Sequence, residues 1–242
     1  MNKFPVLEIF GPTIQGEGMV VGRKTMFVRT AGCDYSCAWC DSAFTWDGSA
    51  KEEVRRMTAD EIINDLRETG GDKFDHVTIS GGNPALLKNL HELIKPLHEH
   101  QIEVALETQG SRWQDWFTEI DDLTISPKPP SSKMKTNWEV LDDILNRLSD
   151  FERLDHTSLK VVIFNDEDLQ YAEYVHQRYP HIPFFLQVGN DDLAEEQPEQ
   201  LAADLLTKYE WLIDKVMDSS SLNHVRVLPQ VHALLWGNKR GV

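Results

Sequence analysis

Ala31-Gly32-Cys33-Asp34-Tyr35-Ser36-Cys37-Ala38-Trp39-Cys40-Asp41-Ser42 contains every cysteine of the 242-residue chain, spaced C-x3-C-x2-C. Three sulfurs on one short loop can converge on a single centre, as an iron–sulfur cluster or a zinc ion requires. Three ligands close neither a tetrahedral zinc site nor a four-iron cluster, so one coordination position is left for something else. Open positions do chemistry, whereas closed ones hold a fold together. A structural zinc knuckle calls for a fourth ligand at short spacing, and the first histidine after Cys40 is His76. A distant histidine keeps zinc as the less favoured metal. A disulfide would strand one thiol, and the N-terminal Met-Asn-Lys-Phe-Pro-Val-Leu-Glu lacks the apolar run of an export signal.

Immediately upstream, Thr25-Met26-Phe27-Val28-Arg29-Thr30 is β-rich and delivers the chain into the cysteine loop. Further back, a short strand over residues 6–10 runs into Gly11-Pro12-Thr13-Ile14-Gln15-Gly16-Glu17-Gly18, a pliable loop whose composition favours an ordinary turn, although its backbone could also approach a ligand closely. Downstream, residues 44–57 read as irregular surface. Thr58-Ala59-Asp60-Glu61 has the pattern of a capping box and opens a helix carrying Ile62, Ile63 and Leu66. The strand 76–80 breaks at Gly81-Gly82-Asn83-Pro84. A helix with Leu86, Leu87, Leu90, Leu93 and Ile94 follows, and Pro96 is expected to kink or end it.

The rhythm repeats through strands 103–107, 123–125, 159–164, 184–188 and 225–228. A short aromatic helical piece at 113–117 and helices 138–148, 166–179 and 201–216 lie between them. Strands alternating with helices mean parallel βα units, in an open sheet or a barrel. The cysteines, Gly81-Gly82, Glu107-Thr108, Ser126-Pro127-Lys128, Asn165-Asp166, Gln187 and Gln230 to His232 all follow strands. In parallel α/β architectures that edge is where sites are built, so one large site across the top of the sheet is expected.

Composition narrows the class of partner. The chain is 40% hydrophobic and 26% charged, ordinary for a soluble enzyme of one domain, with no apolar run long enough to span a membrane. A net charge of −16 argues against binding a nucleic-acid backbone and points to a small-molecule partner. Reduced thiols suit a cytoplasmic setting.

C-x3-C-x2-C with an aromatic residue before its last cysteine resembles the cluster loop of the radical S-adenosylmethionine enzymes. The resemblance implies that Cys33, Cys37 and Cys40 hold three irons of a 4Fe–4S cluster, the fourth iron taking the amino and carboxylate groups of S-adenosylmethionine. Reductive cleavage of that cofactor would then yield a 5′-deoxyadenosyl radical that removes a hydrogen atom from the substrate. From the Thr-Ile-Gln-Gly-Glu-Gly loop to the tail, the chain resembles one family of that class, the 7-carboxy-7-deazaguanine synthases. That resemblance implies an α/β fold, a partial (incomplete) β/α barrel with parallel strands and the helices outside, over a single domain 1–242. The cluster loop spans 31–42, and a tail at 229–242 closes on the substrate. It implies conversion of 6-carboxy-5,6,7,8-tetrahydropterin to 7-carboxy-7-deazaguanine with loss of ammonia, on the route to queuosine. It further implies a homodimer, an external flavodoxin-like one-electron reductant, and contact with neither nucleic acid nor membrane.

Matched position by position, the substrate residues are Ile14, Gln15, Gly16, Arg29, Ser80, His232 and Val242. The cofactor residues are Trp39, Cys40, Asp41, Gly82, Glu107, Ser126, Lys128 and Gln187. Ser42 stands where the family binds Mg²⁺ through a hydroxyl, most often a threonine. The family's Gly-Gly-Glu-Pro is Gly81-Gly82-Asn83-Pro84 here, so Asn83 is either a weaker cofactor contact or a helix cap. Two rival readings are an activase that installs a glycyl radical on a protein, which would want further cysteines, and a zinc-binding module without chemistry.

Overall fold

The computed structural model describes residues 2–242. Among them, nine strands form one sheet in the order β3-β1-β2-β4-β5-β6-β7-β8-β9. β1 (Phe4–Ile14) lies antiparallel to β2 (Lys24–Thr30) on one side and to β3 (Arg55–Met57) on the other. From β2 onward every pairing is parallel, through β4 (His76–Gly81), β5 (Glu103–Thr108), β6 (Asp122–Ile125), β7 (Thr157–Ile163), β8 (Phe184–Val188) and β9 (Val225–Leu228). β3 and β9 end the order without pairing to each other, so the barrel is incomplete. The helices are α1 (Ala59–Gly70), α2 (His91–Glu99), α3 (Trp138–Asp150), α4 (Asp166–Arg178), α5 (Pro198–Met217) and the short α6 (Val231–Trp236).

Successive strand side chains point to opposite faces, and here the two faces divide by chemistry. Val77, Ile79, Val104, Leu106, Leu123, Ile125, Leu159, Val161, Ile163, Leu186 and Val188 join the hydrophobic core with the helices. The alternate set is buried as well but mostly polar: Thr78, Thr124, Ser126, Ser158, Lys160 and Gln187, with Ala105, Val162 and Phe185 among them. Each fully buried Val, Leu or Ile contributes roughly 1.5–3 kcal/mol, so the outward set holds the layers together. The inward set is left to build a site.

Local starts follow the sequence. Thr58 and Glu61 make the expected reciprocal capping box on α1, and Asn137 and Asn165 cap α3 and α4. Four readings need correction. β1 does not stop at Phe10 but runs to Ile14 through a register shift, because Gly11, at φ +117°, lets the strand stay paired with β2 where a Cβ would sit 2.9 Å from the Thr25 carbonyl oxygen. Residues 44–57 are not plain surface: they hold two 3-10 turns and β3, and they fold back under the cysteine loop. Gly32 donates to the Thr45 carbonyl at 2.8 Å and Trp46 Nε1 to Cys40 Sγ at 3.4 Å. The aromatic piece at 113–117 is a 3-10 turn, Asp115–Glu119. Finally, Leu86 belongs to a 3-10 turn rather than to α2, which starts at His91 and carries Pro96 within it.

Candidate active site

Above the carboxyl ends of the parallel strands lies a cavity of about 480 Å³. Cys33, Cys37 and Cys40 form part of its wall, and all three are free thiols. Two glycines allow this packing. At Gly82 a Cβ would lie 2.2 Å from the Gly32 carbonyl oxygen and 2.8 Å from Cys33 Cβ, and at Gly81 it would lie 2.2 Å from the Thr30 carbonyl oxygen. Only bare backbone fits between the β4 end and the cysteine loop. The far side of the loop is laced to the segment after β6. Ala38 N donates to the Ser132 carbonyl at 3.0 Å, Trp39 Nε1 to Ser131 Oγ at 2.9 Å and Tyr35 Oη to the Lys135 carbonyl at 3.0 Å.

Burial pushes all three thiols up, Cys37 to about 11, and neighbouring thiols add to the shift at Cys33 and Cys37. Lys128 opposes it at Cys37 and Cys40, its ammonium standing 5.8 Å from the Trp39 ring centroid. A bound cationic centre would offset that burial and hold the three sulfurs as thiolates. Three free thiols lining one cavity, with no fourth cysteine in the chain, suit a cluster that leaves one position open. Among the described residues, Glu17, Asp41 and His232 are the His, Cys, Asp or Glu trio whose ligand atoms all lie within 4.8 Å of one another.

Of the matched substrate positions, Ile14, Gln15, Gly16, Arg29, Ser80, His232 and Val242 all line the cavity. Arg29 donates from Nε to Glu8 at 2.8 Å and from Nη1 to Ser42 Oγ at 3.0 Å, and its guanidinium stands 5.6 Å from both Phe10 and Phe44 ring centroids. Ser80 Oγ is buried with no partner. Gly16 packs so tightly on α6 that a Cβ would meet His232 N and Nδ1 at 2.9 Å.

Of the matched cofactor positions, Trp39, Cys40, Asp41, Gly82, Glu107 and Lys128 line the cavity, as does Ser42. Two do not. Ser126 lies beneath the wall and accepts from Lys128 Nζ at 3.1 Å. Gln187 is fully buried on the inward face of β8 with both side-chain polar atoms unpartnered, below the lining. Asn165 serves as the α4 cap. Asn83 is a cap too: its Oδ1 accepts from Ala85 N at 3.1 Å and Thr108 Oγ1 at 2.8 Å, and its Nδ2 donates to Asp34 and Ser111. With the carbonyl so used, the asparagine braces the β4 and β5 ends.

The cavity floor holds a group that the motifs do not mark. Lys160 Nζ, 1% exposed, lies 2.5 Å from Glu17 Oε2 and 2.7 Å from Glu107 Oε1, and Gln230 Nε2 donates to Glu17 Oε1 at 3.0 Å. Burial alone would raise the Glu17 pKa, but Lys160 and His232 hold it well below the usual carboxylate range. The two carboxylates likewise keep Lys160 protonated against burial. A signal was available: Leu159-Lys160-Val161-Val162-Ile163 has one charge inside an apolar run, and a buried charge needs partners.

Comparison with known proteins agrees with this geometry. A model of the Radical SAM superfamily matches residues 27–184. The chain is 69% identical over 238 residues to the 7-carboxy-7-deazaguanine synthase of Bacillus subtilis (strain 168), covering 98% of each. It is 62% identical over 242 residues to the enzyme of the same name from Bacillus cereus, covering 100% of each. Among solved structures, QueE from Escherichia coli shares the fold, with a TM-score of 0.68 at 19% identity over 94% of each chain.

Proposed function

The chain belongs to the radical SAM superfamily and, within it, to the 7-carboxy-7-deazaguanine synthases, and from that premise we propose how its residues divide the work. The enzyme converts 6-carboxy-5,6,7,8-tetrahydropterin to 7-carboxy-7-deazaguanine with loss of ammonia. The observation that carries the assignment of roles is one cavity bounded by three thiols on one side and by Arg29 and Glu17 on the other.

Cys33, Cys37 and Cys40 hold a 4Fe–4S cluster, with Trp39, Asp41, Gly82, Glu107 and Lys128 around S-adenosylmethionine. When bound, that pair supplies one-electron chemistry and removal of a hydrogen atom from the substrate. The protein supplies placement. Arg29, already oriented by Glu8 and Ser42, has no partner on Nη2 among the described residues and can fork onto the substrate carboxylate. Glu17, kept anionic by Lys160, accepts N–H donors of the pterin ring beside the Ile14-Gln15-Gly16 backbone. Ser80 offers its unpaired hydroxyl, and His232 and the tail to Val242 roof the cavity and exclude water. Ser126 and Gln187 act on the cofactor from below, through Lys128 and the inward face of β8.

Mg²⁺ is read at Ser42, whose Oγ donates to Asp41 Oδ1 at 3.0 Å and faces the cavity. Magnesium keeps waters and needs few protein oxygens, so one hydroxyl with substrate oxygens suffices. We further read the protein as a cytoplasmic homodimer, one domain per chain, supplied with electrons by a flavodoxin-like protein. No helix among the described residues is long and apolar enough to cross a membrane.

Anaerobic reconstitution followed by turnover of the carboxypterin, with and without Mg²⁺, tests this. The expected result is about four irons per chain, a deazapurine product, and no 5′-deoxyadenosine from Cys37→Ala. Retained 5′-deoxyadenosine in that variant, or a single bound zinc, would overturn the assignment.

A further inference from the structure

The sheet is open between β3 and β9, and the last residues of the chain cross that opening. Leaving α6, the tail is fixed first at Asn238. Its Oδ1 accepts from Asn190 after β8 at 2.8 Å, and its Nδ2 donates to the carbonyls of Asp192 and Glu195 at 3.0 Å. Two residues on, about 7 Å of extended chain, Arg240 reaches the opposite edge. It pairs with Glu8 on β1, donates to Glu53 at 2.8 Å and stacks its guanidinium 4.1 Å from the Phe44 ring centroid. One pin therefore stands on the β8 side and the other on β1 and the 44–53 segment. Lys239, Arg240, Gly241 and Val242 line the cavity between them.

We propose that Arg240 is a positioning residue, a latch that docks residues 237–242 onto Glu8, Glu53 and Phe44 and so sets how tightly the cavity holds its substrate. Residues 44–57 thereby gain a second role, carrying the receiving face for the tail as well as supporting the cysteine loop. Single exposed ion pairs contribute little. This one differs in having two carboxylates, one of them on the largely buried Glu8 (15% exposed), together with an aromatic face. Glu8 also holds Arg29, so the latch and the substrate-facing arginine share one carboxylate. Substrate release needs the latch to open, and an open latch leaves Arg29 still paired.

The inference rests on the cavity being the carboxypterin site, and the test separates the two. On reconstituted enzyme, Arg240→Ala is expected to raise KM for the carboxypterin about tenfold with kcat within about twofold, and Arg240→Lys to recover part of the loss. Glu53→Gln should raise KM about two- to threefold. Limited trypsin digestion read by mass spectrometry reports the latch without substrate. Cleavage after Lys239 should be faster in Arg240→Ala than in wild type, with an unchanged unfolding midpoint. Equal cleavage rates and equal KM, or a fall in kcat at unchanged KM, would overturn the latch. Wild-type protein that cleaves slowly after Lys239 yet never turns over the pterin would instead overturn the substrate assignment and leave the latch standing.

Discussion

The two faces of β7 bury their side chains equally and for opposite reasons. Leu159, Val161 and Ile163 face the helices and are fully buried in the core, whereas Ser158 and Lys160 face the cavity side and are just as dry. An apolar side chain needs only contact when it loses water. A buried ammonium needs partners, and Lys160 has Glu17 from the loop after β1 and Glu107 from the end of β5. The outward face can therefore be read one strand at a time, while the inward face makes sense only when three distant segments are assembled.

Breaking the inward face should have the largest effect. Lys160→Met leaves two carboxylates facing each other without a cation. It is expected to cost about 3–5 kcal/mol in urea unfolding and to abolish turnover. Adding Glu17→Gln to that variant should recover part of the stability and none of the activity. Independent, additive losses would show that the ion pairs do not act as a unit. The matching cut on the outward face, Leu159→Ala, should cost about 2–5 kcal/mol with KM and kcat for the carboxypterin nearly unchanged. If Leu159→Ala altered KM as much as stability, the separation of the faces would fail.

How much of this is legible in the sequence depends on where the signal sits. The cysteine loop, Arg29 at the end of β2 and Gly81-Gly82 are local patterns, and each arrives at the cavity wall. The parallel order of strands follows from the alternation of periods. Lys160 and Glu17 are 143 residues apart, and neither has a partner until the sheet curls. Residues 44–53 are illegible because their long-range bonds run to Gly32 and Cys40 and to the tail, and β3 because its three residues are too short to show a period. Gln187 is a different case: it pairs in the register with Val162, a residue of the cavity wall, yet its own amide is fully buried with no partner, and no local pattern in the sequence marks that.

His76 carries the comparison to the opposite end of β4. Burial first, and then the charge of Arg23, depress its pKa to about 4, with Nδ1 2.8 Å from Thr25 Oγ1. The folded state thus takes up a proton less readily than the unfolded chain, whose histidine titrates near 6.5. The associated stability is complete above about pH 6.5 and is lost as the pH falls toward about 4, by about 3 kcal/mol in all. Chemical denaturation from about pH 7 to about pH 4 should show that slope in wild type and lose it in His76→Gln. An unchanged slope in the variant would assign it to carboxylates instead.

The smallest effect belongs to the most legible feature. Thr58→Ala removes the acceptor for Glu61 N at 3.3 Å, while the Glu61 carboxylate still accepts from residue 58 N, a bond now at 2.7 Å. Half of the capping box survives, so the expected loss is about 1 kcal/mol, with iron content and turnover unaltered. α1 packs on β1, the strand that also carries Glu8. A rise in KM with this mild loss would therefore mean that the outer layer sets the position of Glu8, and through it both Arg29 and the tail. An unchanged KM would confine the cap to the stability of its own helix and leave the inward face to be tuned from within.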